Sequence, residues 1–229
     1  VGDHADHATP EDASFMGTVA NEIAGERIMQ HILDSARDEK ELHDFVLNKR
    51  VVDEHKGGAS WGYHENYLAP AHALEISADG LALLGIHLAT RNILVGAGCM
   101  LRAPNGKGRY FLAQKATDLW DDYSTGTTTN KPVVNLRQEP HADADVWRRV
   151  HVISGDPNMS PWATFMKLGT TSLVLRLIEN GEQLEKLRVN SLARLAQQVA
   201  SDLSLRRTVR LEDGSTIRPL EIQVALHNA

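Results

Sequence analysis

Three short stretches of this chain gather residue types that handle metals and phosphate. They are His64-Glu65-Asn66-Tyr67-Leu68, the run NLRQEPHADAD from Asn135 to Asp145, and RRVHVISGDPN from Arg148 to Asn158. Between them they hold His64, Glu65, Asn135, Arg137, Glu139, His141 and His151. Taken singly each is weak: a lone strand histidine is more often a hydrogen-bonded structural residue, and the acidic run can be read as a solvated turn. Repetition on successive strands shifts that balance. Carboxylates and imidazoles converging on a sheet can hold a divalent metal, and arginine or lysine beside them can neutralise phosphate oxygens, the combination that phosphoryl transfer uses. Magnesium with a nucleotide is the ligand this chemistry suggests.

These residues need a sheet to bring them together, and the patterning supplies one. In residues 133–139 period-two alternation predicts a strand with Asn135, Arg137 and Glu139 on one face and Val134 and Leu136 on the other. Residues 148–153 read as another, with Arg149 and His151 opposite Val150 and Val152. Residues 99–103 and 109–115 flank Pro104-Asn105-Gly106-Lys107-Gly108, whose Asn-Gly predicts a hairpin turn.

Helices complete the frame. Thr9-Pro10-Glu11-Asp12 carries a capping hydroxyl, a proline at the first helical position and two acids, predicting a helix from about Glu11 past Leu33. Val19, Ile23, Ile28 and Ile32 give it an apolar stripe, and the charges at residues 38–41 read as a solvated end. After a loop at Lys56-Gly57-Gly58, a second helix begins at Ser77-Ala78-Asp79 and runs to about Val95, stopped by Gly96-Ala97-Gly98. Ser160-Pro161 opens a nearly apolar helix that ends at Asn180-Gly181, and Leu192, Leu195 and Val199 mark one more. A turn at Asp213-Gly214 precedes a last segment from Leu220 to Leu226. No repeat or low-complexity linker divides residues 1–229, which read as one α+β domain.

Several chemistries are disfavoured. There is no Walker A sequence, and Gly96-Ala97-Gly98 follows a helix instead of opening one after a strand, which argues against a P-loop or Rossmann site. Histidine pairs at metal-helix spacing are absent and Cys99 is alone, so zinc has little support. No nucleophile elbow is present. Charged residues make up 24% and hydrophobic ones 42%, with a formal net charge of -6, which gives no general attraction to nucleic acid or an anionic membrane. One cysteine, no apolar run near the roughly 18 residues of a membrane span, and a polar, acidic start point to a cytoplasmic setting.

The same motifs carry a resemblance. GYHENYL, VNLRQEPHADAD followed by RRVHVISGDPNM, and KLGTTSLVL resemble the Pup ligase and depupylase enzymes, relatives of the glutamine synthetase superfamily of carboxylate-amine ligases. The resemblance runs in order along essentially the whole chain. It implies a curved antiparallel sheet flanked by helices that cradles ATP and magnesium. It implies a ligase that phosphorylates the γ-carboxylate of the C-terminal glutamate of Pup, a small ubiquitin-like modifier, so that a lysine of a target protein can attack the acyl phosphate. The product is proteasomal targeting by an isopeptide bond. Depupylase, a non-catalytic Pup- or nucleotide-binding relative, and a small-molecule carboxylate-amine ligase are the alternatives.

By motif, the resemblance implies metal contacts from Asp6, His64 and His151 and nucleotide contacts from Thr9, Lys115 and Arg137, supported by Glu65, Asn135, Glu139 and His141. Two departures stand out. His4-Ala5-Asp6-His7 replaces the family's His-Pro-Glu-Tyr, shortening a metal-binding glutamate by a methylene, and Lys115 replaces an arginine, losing a bidentate fork. The family's aspartate base falls immediately before Val1, which leaves the catalytic residue unassigned. Asp3 is the nearest acid within the chain, but the register sets it at a small polar position. Further acidic and aromatic residues and a small C-terminal domain of the family also fall outside the 229 residues, so the isolated chain is expected to ligate little.

Overall fold

A computed structural model describes residues 6–40, 44–53, 59–74, 78–102, 107–127, 131–139, 141–182 and 187–229. Asp3, the Lys56-Gly57-Gly58 loop, Ser77, Glu41 and the Asn105-Gly106 turn lie outside the described residues.

The first helix, α1 (Phe15–Lys40), starts later than Thr9-Pro10 suggests. Asp12 Oδ1 accepts the Ser14 amide at 2.7 Å and closes a local turn. Ser14 then becomes the cap, its Oγ accepting from the Gly17 amide and its carbonyl from Thr18. Two short strands, β1 (Val52–Asp53) and β2 (Ala59–Ser60), pair antiparallel before β3 (Glu65–Pro70). The apolar helix expected to reach Val95 is divided into α2 (Ala78–Thr90) and α3 (Asn92–Val95). At the junction Thr90 Oγ1 bonds back to the Ile86 carbonyl at 2.6 Å, and the Arg91 side chain turns inward to Glu65.

The hairpin forms from β4 (Cys99–Arg102) and β5 (Gly108–Phe111), antiparallel as its turn sequence requires. Its second strand stops short of residue 115. The Leu112 amide donates to Ala200, and the Gln114 and Lys115 amides donate to Asp156. Then follow β6 (Asp121–Ser124), β7 (Pro132–Asn135) and β8 (Trp147–Val152). The main sheet has the order β3-β8-β7-β6. It is antiparallel except at its edge, where β6 runs parallel to β7, a departure from the all-antiparallel sheet expected. β7 is also shorter than its alternation suggests: the Leu136 amide still donates to the Ser124 carbonyl at 2.8 Å, but Asn135 Oδ1 accepts the Arg137 amide at 2.8 Å, and this side-chain turn leads residues 137–139 away from the strand.

Helices α4 (Pro161–Glu179) and α5 (Leu192–Ser201) occupy the spans their patterning marks. The tail holds a small hairpin, β9 (Val209–Arg210) with β10 (Thr216–Ile217), and α6 (Pro219–Asn228). The core lies between the sheet and the helices, where Val134, Val150 and Val152 meet Leu84, Ile86 and Leu88 of α2, Val174 and Ile178 of α4, Leu195 and Val199 of α5, and Ile222 of α6. Each such side chain contributes about 1.5–3 kcal/mol on burial. No described helix is long and apolar enough to cross a membrane.

Candidate functional site

Strand β3 assigns its polar residues to two faces by parity. Glu65 and Ala69 are buried, whereas Asn66 and Leu68 are exposed. Across the sheet Asn66 pairs with His151, and His151 with Asn135, which brings those three side chains to one face.

Glu65, expected to support the site, belongs to the opposite face. Its carboxylate receives Arg91 Nη1 at 2.8 Å and Nη2 at 2.6 Å, and the Tyr67 hydroxyl at 2.7 Å. Arg91 Nη1 also donates to Thr171 Oγ1 of α4. Burial would raise the Glu65 pKa, but Arg91 and then Lys167 hold it below the usual carboxylate value. The pair leaves no room for a side chain at Gly155, whose added Cβ would meet Glu65 Oε1 and, at 3.0 Å, Arg91 Nη2. This constellation ties β3 to the helices.

The other face is built differently. The imidazoles of His64 and His151 meet edge to face with centroids 4.9 Å apart. Gly62 makes this possible, because a Cβ there would run into the His64 ring. Arg149 Nε donates to Asn66 Oδ1 at 2.6 Å, and Arg149 Nη1 lies 3.9 Å from Glu139 Oε2. Arg137 donates through Nε and Nη2 to Glu139 Oε1 at 3.1 and 3.0 Å, with about half its side chain exposed. Asn135 is occupied in the backbone, holding the Gly126 carbonyl and the Arg137 amide.

His151 is the unusual member. It is 5% exposed, yet both ring nitrogens are buried without a hydrogen-bond partner among the described residues. Burial, then Arg149, His64 and Arg137, lower its pKa to about 4, so the ring is neutral at pH 7 with one donor and one acceptor free. Such groups are costly unless something completes them. Partial burial and then Lys115 lower the His64 pKa as well, while Asp6 opposes the shift.

Lys115 lies beneath this face and does not open onto it. It is 1% exposed, and its Nζ donates to the Trp61 carbonyl at 2.6 Å and Ser60 Oγ at 3.2 Å. Its backbone and that of the Gly96-Ala97-Gly98 loop are pinned by buried Asp156, whose carboxylate accepts the Ala97, Gln114 and Lys115 amides at 3.0, 2.8 and 2.8 Å. Lys167, also buried, donates to the Asp156 carbonyl and sits 3.7 Å from the centroid of Tyr63.

The structure therefore gathers His64, His151, Arg137 and Glu139 with Arg149, and places Asp6 and Lys115 within electrostatic reach of His64. Thr9 and His141 are exposed and are joined to this group by no hydrogen bond or ion pair among the described residues. Asp6, His64 and His151 do not form a three-ligand metal group; none of three or more His, Cys, Asp or Glu occurs among the described residues. The imidazoles also suit a hard, oxygen-seeking magnesium ion poorly. Guanidinium groups beside a neutral imidazole with unused hydrogen-bonding capacity are chemically able to receive an anion such as phosphate.

Sequence reasoning passed over Arg91, Asp156 and Lys167, and with them Lys131 and Asp118, whose Nζ and Oδ2 are 2.7 Å apart. Only Arg91 carried a signal, being the one Asp, Glu, Lys or Arg in the mostly apolar run from Leu81 to Val95.

Comparison with known proteins agrees with this geometry. The family described as "Pup-ligase protein" matches residues 2–229. A Pup--protein ligase of Acidimicrobium ferrooxidans is 41% identical over 233 residues, covering 98% of this chain and 49% of that protein. One of Actinosynnema mirum is 40% identical over 227 residues, covering 97% and 49%. The chain spans about half the length of the curated relatives it matches. A solved structure of the Pup ligase PafA in complex with ADP superposes with a TM-score of 0.83 at 31% identity, covering 99% of this chain and 49% of that one. That of the complex between Pup and its ligase PafA gives 0.81 at 30%, covering 96% and 44%. The chain belongs to the Pup-ligase protein family.

Proposed function

We propose that this chain carries the phosphate-handling sheet of an ATP-dependent Pup–protein ligase. The observation that bears most weight is His151: a buried imidazole with both nitrogens unpartnered, flanked by Arg149 and Arg137, has the makings of a ligand contact. The relatives support the reading: two are named Pup--protein ligases, and the similar solved structures are of the Pup ligase PafA, with ADP in one and Pup in the other.

In this proposal ATP binds with its phosphates toward Arg137 and Arg149, and His151 supplies a hydrogen bond from one ring nitrogen. The C-terminal γ-carboxylate of Pup attacks the γ-phosphorus, ADP leaves, and the acyl phosphate is then opened by a lysine amine of the target protein, releasing phosphate. The guanidinium groups offset charge that grows on the transferring phosphoryl oxygens, worth most where water is excluded. Magnesium accompanies ATP in this reading. The described donors do not by themselves fit it, Asp6 being the one carboxylate among them coupled to His64. Thr9 is a proposed nucleotide contact and His141 a supporting residue, both reached when ligand is bound. The setting proposed is the cytoplasm, where ATP and target proteins of the proteasome are available.

Calorimetry with Mg-ATP and with Pup tests the reading. Saturable binding of both, weakened for ATP by Arg137→Ala, is the expected result. Absence of ATP binding up to millimolar concentration overturns it.

A further inference from the structure

Beneath the anion-facing side of the sheet two lysines share one serine. Lys115 begins the 3-10 turn Lys115–Asp118, Lys131 immediately precedes β7, and Ser60 ends β2. Lys131 Nζ donates to the Ser60 carbonyl at 3.1 Å, to Ser60 Oγ, and to Asp118 Oδ2 at 2.7 Å. Ser60 Oγ in turn donates to Asp118 Oδ2 and accepts from Lys115. Lys131 is thus fully engaged, with a carboxylate among its partners. Among the described residues Lys115 has neutral oxygens alone at hydrogen-bonding distance, and the Asp118 carboxylate is bonded by its neighbour Lys131. The Lys115 ammonium thus sits without a directly bonded carboxylate among the described residues, on the side that bears on His64.

We propose that Lys131 is a positioning residue for this face: through Ser60 and Asp118 it fixes where the Lys115 ammonium sits and the pH range in which Lys115 lends its charge to a bound polyphosphate. The inference rests on the nucleotide reading above. Burial and then Lys131 lower the Lys115 pKa to about 8, opposed by Asp118 and Asp156. The charged groups facing it are Lys131, Asp118 and Asp156, with His64 beyond. Lys115 is cationic below about pH 8 and loses its proton above it, so Mg-ATP affinity falls as pH rises through that value.

The test is a titration of Lys115 followed by carbon-13 or nitrogen-15 NMR of labelled lysine in the whole chain, assigned with Lys115→Arg, beside Mg-ATP affinity from pH 6.5 to 9.5. Lys131→Met removes the neighbouring cation and moves the Lys115 midpoint up by about one unit; Asp118→Asn removes the opposing carboxylate and moves it down by a comparable amount. Lys131→Arg keeps the wild-type midpoint. The step in Mg-ATP affinity moves with the midpoint in each variant. General damage to the fold moves both variants the same way, which overturns the proposal, as does an unchanged midpoint in Lys131→Met or an affinity step that ignores it. Should Lys131→Met fail to fold, the downward shift in Asp118→Asn decides. If no variant binds ATP at any pH, the nucleotide reading fails, while the Lys115 midpoints still decide whether Lys131 controls it.

Discussion

The two faces of β3 and β8 are made of the same residue types and do opposite things. On the helix side Glu65, Arg91, Tyr67 and Thr171 satisfy one another at 2.6 to 2.8 Å, and no ligand is needed to complete them. On the other side Arg137 and its partner Glu139 are about half exposed to solvent, and His151 has both nitrogens open among the described residues. A closed polar network gives structure, whereas one that is desolvated and incomplete is poised for something outside the protein. Residue type therefore says little until the partners are counted.

The sharpest way to break this comparison is to open the closed side. Glu65→Gln leaves Arg91 buried without its counter-charge and should destabilise the chain by about 3–5 kcal/mol, read by urea denaturation. A loss under about 1 kcal/mol would show that the pair is not what anchors β3. Gly155→Ala presses a methyl group into the same pair and should cost about 1–3 kcal/mol in the same assay.

On the open side the ranking reverses. Arg137→Ala should weaken Mg-ATP binding about tenfold, equivalent to about 1.4 kcal/mol, while stability changes by no more than about 0.5 kcal/mol. Unchanged calorimetric affinity would remove Arg137 from the site. His151 adds a pH signature. Because its folded pKa is about 4 against an ordinary 6.5, the unfolded chain binds a proton in that window that the folded chain does not, so stability falls as pH drops from about 6.5 towards about 4. His151→Gln should flatten that part of the stability profile, and an identical slope in variant and wild type would contradict the assignment. The smallest effect is expected from Glu139→Gln, which releases Arg137 and Arg149 from a competing carboxylate: stability within about 0.5 kcal/mol, and ATP affinity raised about two- to threefold at low salt.

How much was legible beforehand depends on range. The strand at His64-Glu65-Asn66-Tyr67-Leu68, the helix after Ser160-Pro161 and the amphipathic helix at Leu192 are written in local patterning, which acts within a few residues. The start of α1 was misjudged because Asp12 and Ser14 offered a competing local turn and cap. The end of β7 was misjudged because Asn135 bonds its own backbone two residues on. The parallel edge formed by β6 and β7 had no local marker, since strand direction across a sheet is set by connections and packing.

The sequence by itself determined that three polar stretches would carry strands, with His151 on one and His64 and Arg137 just beyond the ends of two others, because side-chain alternation follows from backbone geometry alone. It also carried the family resemblance. Tertiary structure decided what each polar residue is for. It sent Glu65 inward to Arg91, sank Lys115 beneath the face it was expected to line, and left the His151 nitrogens without a hydrogen-bond partner among the described residues. Those outcomes turn on pairings between residues 26 to 80 positions apart, such as Glu65 with Arg91 and Arg91 with Thr171, and on the exclusion of water from one side of a sheet. Neither is encoded at any single position.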